Sequence, residues 1–218
     1  MYLLQARDLK LRRIRAIYAH LPPIERLENV AAWLLASGFL LHGPEVTLIV
    51  GQPHTTGGLG DKAVRCVYLQ TNSVLSGFTV TNGFTRSGTS SYVYYYGGGI
   101  RSEGAGALIT NCVIVGNTAA MQGGGVYRGT LLDCVVASNA VSGSSSQGGG
   151  AHSVAARSTR FERNRAASTS SDGGGAFAST LIDCAVVSNA AGRSGGGVYT
   201  TPLTSCLVEN NVAGTSGG

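Results

Sequence analysis

The sequence predicts an all-β fold, a right-handed parallel β-helix wound from coils of 22 or 25 residues. Three observations carry that expectation. A Gly triplet begins at Gly97, Gly123, Gly148, Gly173 and Gly195, and Gly217-Gly218 starts another. An Asn follows at Asn117, Asn139, Asn164, Asn189 and Asn211, with an earlier one at Asn82. Apolar residues keep a fixed distance from each Asn. A fixed period of 20–50 residues is the signature of a solenoid, whose single repeat cannot bury its own apolar side.

The Asn residues set the frame. Five residues before each lie Gly77, Cys112, Cys134, Thr159, Cys184 and Cys206. Two residues further on come Thr79, Ile114, Val136, Phe161, Val186 and Val208. Three residues before the Cys position come Val74, Ile109, Leu131, Ala156, Leu181 and Leu203. Each unit therefore offers about three short apolar strands and three bends. Stacked in parallel about 4.8 Å apart, the units form an apolar ladder, a Cys ladder and an Asn ladder. An inward Asn at a bend bonds its own backbone and the Asn above it. The Gly triplets allow left-handed bends and close approach between coils. The period predicts about six coils. Tandem helices are excluded by the lack of 3.6-residue apolar spacing. A left-handed β-helix is excluded by the lack of a six-residue rhythm.

From the first Gly of the triplet to the Asn is 20 residues in the first unit and 16 in the last four, and the other length variation falls at one corner. Between Asn and the next triplet lie 5 residues after Asn117, Asn189 and Asn211, 8 after Asn139 and Asn164, and 14 after Asn82. Variable loops on one edge of a solenoid are where binding residues concentrate.

The ends differ from this pattern. Residues 1–42 lack the repeat and read as two helices broken at Pro22-Pro23. They serve as a cap on the first coil, as a signal or anchor, or as a start that is not native. The run Val30–Leu41 is too short to span a bilayer, so no integral membrane segment is expected. Residues 43–218 form the helix proper, and their interruption inside a repeat at Gly218 suggests that the natural chain continues.

Charge points away from nucleic acid. The net charge is +5, but residues 43–218 carry ten basic and eight acidic side chains. A phosphate-tracking surface needs a basic stripe, and only Arg157, Arg160, Arg163 and Arg165 cluster along the chain. The five cysteines have no zinc spacing, and no phosphate-loop or HExxH motif occurs, so neither metal nor cofactor is expected. Adjacent coils would bring Cys112 to Cys134 and Cys184 to Cys206. Side chains of in-register parallel strands point alike, which strains a disulfide, so buried free thiols are the favoured state.

The candidate site residues are aromatic. The second residue after each triplet is Arg101, Tyr127, His152, Phe177 and Tyr199. Strand alternation points this row out of the coil. Such a row stacks on sugar rings or a partner protein, or else stabilises the coil laterally. The long loop adds Tyr92, Tyr94, Tyr95 and Tyr96, the residue types of an adaptable contact surface.

The pattern GGGI at Gly97–Ile100, GGGV at Gly123–Val126 and Gly195–Val198, and GGGA at Gly148–Ala151 and Gly173–Ala176, followed by Phe161–Asn164, resembles polymorphic outer-membrane protein repeats. More broadly it is similar to the pectate-lyase-like β-helix superfamily. That resemblance implies secretion, a bacterial cell-surface or outer-membrane location, and adhesion to a glycan or a host or neighbour-cell protein. It also implies an alternative. Polysaccharide lyases and glycoside hydrolases on this fold use clustered carboxylates. Asp133 and Asp183 share a repeat position two coils apart and are the pair such chemistry would need. Carboxylates are scarce here, which favours a binding or structural passenger over an enzyme.

Overall fold

A computed structural model describes residues 47–88 and 91–217. It is an all-β parallel solenoid of about five turns. That is one fewer than the period predicts, because Thr47–Val50 and the Gly217 corner each belong to incomplete turns. The expected helical segment at 1–42 lies outside the described residues.

Each turn contributes to three parallel sheets. Seven strands form the first: Thr47–Val50, Phe78–Thr81, Val113–Val115, Val135–Ala137, Arg160–Glu162, Ala185–Val187 and Leu207–Glu209. Five two-residue strands, from Thr118–Ala119 to Val212–Ala213, form the second. The third has ten strands, among them Val126–Leu132 and Ala151–Arg157, and follows each Gly triplet.

The interior is filled by stacked identical positions. Val80, Ile114, Val136, Phe161 and Val186 are fully buried, one per turn. Volume is conserved across sheets: the turn holding Phe161 has Ala151 and Ala156 where the preceding turn has Val126 and Leu131. A large residue is thus offset by small ones at the same level, as close-packed interiors require.

The Asn ladder saturates itself. Asn139 Oδ1 accepts the backbone N–H of Asn117 at 3.0 Å and its side-chain N–H at 2.9 Å. Asn164 does the same for Asn139, Asn189 for Asn164, and Asn211 for Asn189. The remaining Nδ2–H of each donates to a carbonyl of the previous turn, as Asn164 does to Val136 at 2.8 Å.

Each Gly of the triplet has its own reason. The first, in every copy from Gly97 to Gly217, has φ between 60° and 70°. At the second, a Cβ on Gly124 would lie 2.3 Å from the Ala140 carbonyl oxygen. At the third, a Cβ on Gly125 would lie 2.9 Å from the side chain of Asn139. The triplet and the Asn are therefore two halves of one corner.

The first turn is phased one residue from the sequence frame. Thr79 pairs with Val113 and Val80 with Ile114, while Val74 pairs with Leu108. Asn82 consequently sits level with Gly116, and Gly83 takes the ladder position, its N–H donating to Asn117 Oδ1 at 2.9 Å. Asn82 at φ 57° and Gly116 at φ 67° occupy the same left-handed bend. Asn tolerates that bend nearly as well as Gly, so Asn82 is a bend residue and the ladder begins at Asn117.

Candidate functional site

The aromatic row lies on the ten-stranded sheet. Parallel register places Arg101 beside Tyr127, Tyr127 beside His152, His152 beside Phe177 and Phe177 beside Tyr199. Rings one strand spacing apart are at stacking distance. Tyr127 and His152 centroids lie 5.5 Å apart, His152 and Phe177 5.1 Å, and Phe177 and Tyr199 5.5 Å, with interplanar angles of 29°, 13° and 21°.

The row leaves the coil as strand alternation requires, but it is not an open platform. Tyr127 and His152 are each only 8% exposed. Their faces are covered by one another, so only edges and ends meet solvent. The foot of the stack, Tyr199, is 37% exposed. Burial lowers the His152 pKa to about 4, with the Arg128 charge adding to the effect, so its imidazole is neutral at pH 7. Its Nδ1 lies 2.8 Å from Ser153 Oγ.

The head of the stack is not Arg101 but Tyr96. Its ring stacks on Tyr127 at 4.8 Å and 26°. Arg101 instead lies 5.0 Å over the ring of Tyr68, its neighbour one turn earlier. The long loop ends in a 3-10 turn, Tyr92–Tyr95, joined directly to this head. Arg65 clamps the turn from below, donating to the carbonyls of Tyr96 and Gly97, both at 2.9 Å. Tyr92 and Tyr95 meet edge to face at 5.9 Å, and the Arg86 guanidinium lies 5.3 Å over Tyr94. Tyr92 is 64% and Val93 42% exposed, so the open aromatic surface is here.

The loop thus joins Tyr92, Tyr94, Tyr95 and Tyr96 to Arg101 and Tyr127 in one region. His152, Phe177 and Tyr199 run away from it along the stack. Tyr68, Arg65, Arg86, Glu103 and Arg128 also belong to the region and were missed by the sequence reading. They lie up to a turn or more apart in the chain, and only the coil period could have gathered them.

The carboxylate candidates have backbone roles. Asp133 and Asp183 have φ of 53° and 54°, at the bend that Asn111, Ser158 and Ser205 occupy in other turns. Asp, Asn, Ser and Gly are the residues that accept such a bend most readily. Asp183 also pairs with Arg157 at 3.1 Å. The basic cluster is likewise engaged: Glu162 binds Arg160 and Arg163, each at 2.6 Å, and its pKa is held down chiefly by the Arg160 hydrogen bond. Buried Asp172 pairs with Arg193, which keeps its carboxyl ionised.

The laddered cysteines are free thiols. Each donates to the carbonyl two residues earlier, Cys112 to Thr110 at 3.2 Å and Cys184 to Ile182 at 3.1 Å. The Thr159 hydroxyl does the same to Arg157 at 3.0 Å. From Cys112 onward the position thus holds a small side chain with one donor, so Thr159 can stand in for Cys, while Phe78 occupies it in the first turn. Off the ladder, burial pushes the Cys66 thiol up to about 12.

Among the described residues, no group of three or more His, Cys, Asp or Glu is placed to hold a metal ion. No helix among them is long and apolar enough to cross a membrane. No family model, curated protein or solved structure matches the chain. Fold and geometry together define it as a parallel β-solenoid with an internal Asn ladder and an external aromatic stack that ends in an exposed tyrosine turn.

Proposed function

We propose that this chain is a binding or structural passenger segment of a secreted or cell-surface protein, and that it contacts a glycan or a partner protein at the tyrosine turn. The observation that carries this is the exposure of Tyr92 and Val93 on a turn fixed to a rigid stack. Exposed aromatic side chains on a preorganised support are typical of contact surfaces, because little entropy is lost on binding. The likeness of the Gly-triplet and Asn repeats to polymorphic outer-membrane protein repeats supports the surface location, by analogy alone. The stacked row then supports the turn laterally, and the contact falls at its head.

The test uses the full chain against neutral and acidic polysaccharides, with and without Ca²⁺, and against arrays of glycans and surface proteins. The expected result is binding without new reducing ends or unsaturated products. Replacing Tyr92, Tyr94 and Tyr95 by Ser abolishes that binding and leaves the β-rich circular dichroism spectrum intact. Cleavage of any polysaccharide would refute the proposal and redirect attention to Asp133 and Asp183. Binding that survives the triple substitution would remove the turn as the site.

A further inference from the structure

We infer that the face beside the tyrosine turn binds the carboxylates of an acidic protein segment, with Arg101 and Arg128 as the anion-holding groups. This rests on the binding role proposed above and gives the partner its chemistry.

Successive turns bring the two guanidiniums to one face. Arg101 lies 5.0 Å over the Tyr68 ring and Arg128 5.1 Å over the Tyr127 ring. Register sets Arg101 beside Tyr127, the ring that Arg128 covers and on which Tyr96 stacks. Cation–π contact fixes each guanidinium in plane while leaving its donor edge available. Among the described residues, no carboxylate forms an ion pair with either. The nearest acid, Glu103, is turned to Tyr68, whose hydroxyl donates to its Oε1 at 2.6 Å. The backbone carbonyl of Glu103 takes one Arg128 Nη1–H at 3.2 Å. Arg101 Nε is buried and donates to nothing. With that Nε buried, the terminal Nη groups of Arg101 and Arg128 are the donors left for a carboxylate.

The other cluster shows the contrast. Arg157, Arg160 and Arg163 are each within 3.1 Å of Asp183 or Glu162 and have their anions already. The apolar neighbours favour peptide over sugar. A sugar ring lies flat on an open aromatic face, but Tyr96 and Tyr127 cover each other's faces and Tyr92 and Tyr95 meet edge to face. What remains exposed is Tyr92 with Val93, which suits an apolar side chain next to acidic ones.

The test measures fluorescence anisotropy of a labelled oligoglutamate peptide that also carries Leu, titrated with the full chain at low salt. The Arg101→Gln/Arg128→Gln double variant is expected to weaken binding by about ten-fold or more. Arg160→Gln/Arg163→Gln removes the same charge and is expected to change it by less than about two-fold. Arg101→Lys/Arg128→Lys is expected to recover only part, since Lys lacks the fork. Equal losses in the two Gln pairs would mean unspecific attraction and overturn the inference, as would no binding. Tighter binding of polygalacturonate than of the peptide would overturn it in favour of an acidic glycan. Array binding that depends on Tyr92 but not on Arg101 and Arg128 would sink this inference alone. Absence of any array ligand would sink the binding role itself.

Discussion

Two stacks run along this solenoid, an inner one of Asn and an outer one of rings, and they end differently. In the inner stack each Oδ1 accepts two N–H groups from the preceding Asn, and each Nδ2 reaches both the next Asn and a carbonyl. Every polar group is used and the side chains are buried from Asn117 to Asn189. In the outer stack only ring faces are used. Edges remain, and the head at Tyr96 opens onto a tyrosine turn, beside Arg101 and Arg128, which form no ion pair among the described residues. The same one-turn period therefore builds a closed device inside and an open one outside. Saturation marks the structural ladder, and incomplete saturation marks the place proposed above for a ligand.

The largest expected effect comes from breaking the inner stack. Asn164→Ala orphans the buried Asn139 backbone N–H and takes one hydrogen-bond partner each from Asn139 Nδ2, the Val136 carbonyl and Asn189 Oδ1. Buried groups left unpaired should cost about 4 kcal/mol in all, read as a fall in the denaturation midpoint. Acid should come next, through the outer stack. The folded His152 pKa is depressed to about 4, below the ordinary value of about 6.5 for an unfolded His. The unfolded chain then binds more protons between these values. The His152 contribution is fully present above about pH 6.5 and is lost as pH falls towards 4, by about 3 kcal/mol. Denaturant titrations at pH 7 and pH 4 check this, and His152→Phe should remove the His152 share of the difference, leaving that of ion-paired carboxylates such as Asp172 and Glu162. Phe177→Ser breaks two ring contacts and should cost about 2 kcal/mol. Tyr92→Ser sits at the exposed turn and should cost less than about 0.5 kcal/mol while weakening partner binding.

The scaffold was legible because period fixes register. The Gly triplets, Asn117 to Asn211 and the interior positions from Ile114 onward all align in the structure as in the sequence. The first turn was misphased because Asn serves two purposes, and Asn82 answers to the left-handed bend. Asp133 and Asp183 invited a catalytic reading for a similar reason, since φ alone selects their residue types. The site was legible only in part. Tyr92, Tyr94, Tyr95 and Tyr127 were visible as aromatic types in a loop and a row. The replacement of Arg101 by Tyr96 at the head of the stack was not visible, because it depends on how a 14-residue loop returns to the coil. Proximity along the chain singled out Arg157 to Arg165, which are mostly paired, and hid Arg128, which register brings beside the sequence candidate Arg101.

The most direct check on the two-stack account is the titration of the His152 ring protons by NMR. The account predicts a midpoint near pH 4, as burial between Tyr127 and Phe177 demands. A midpoint near the ordinary His value of about 6.5 would mean an exposed ring, and would contradict the closed middle of the outer stack.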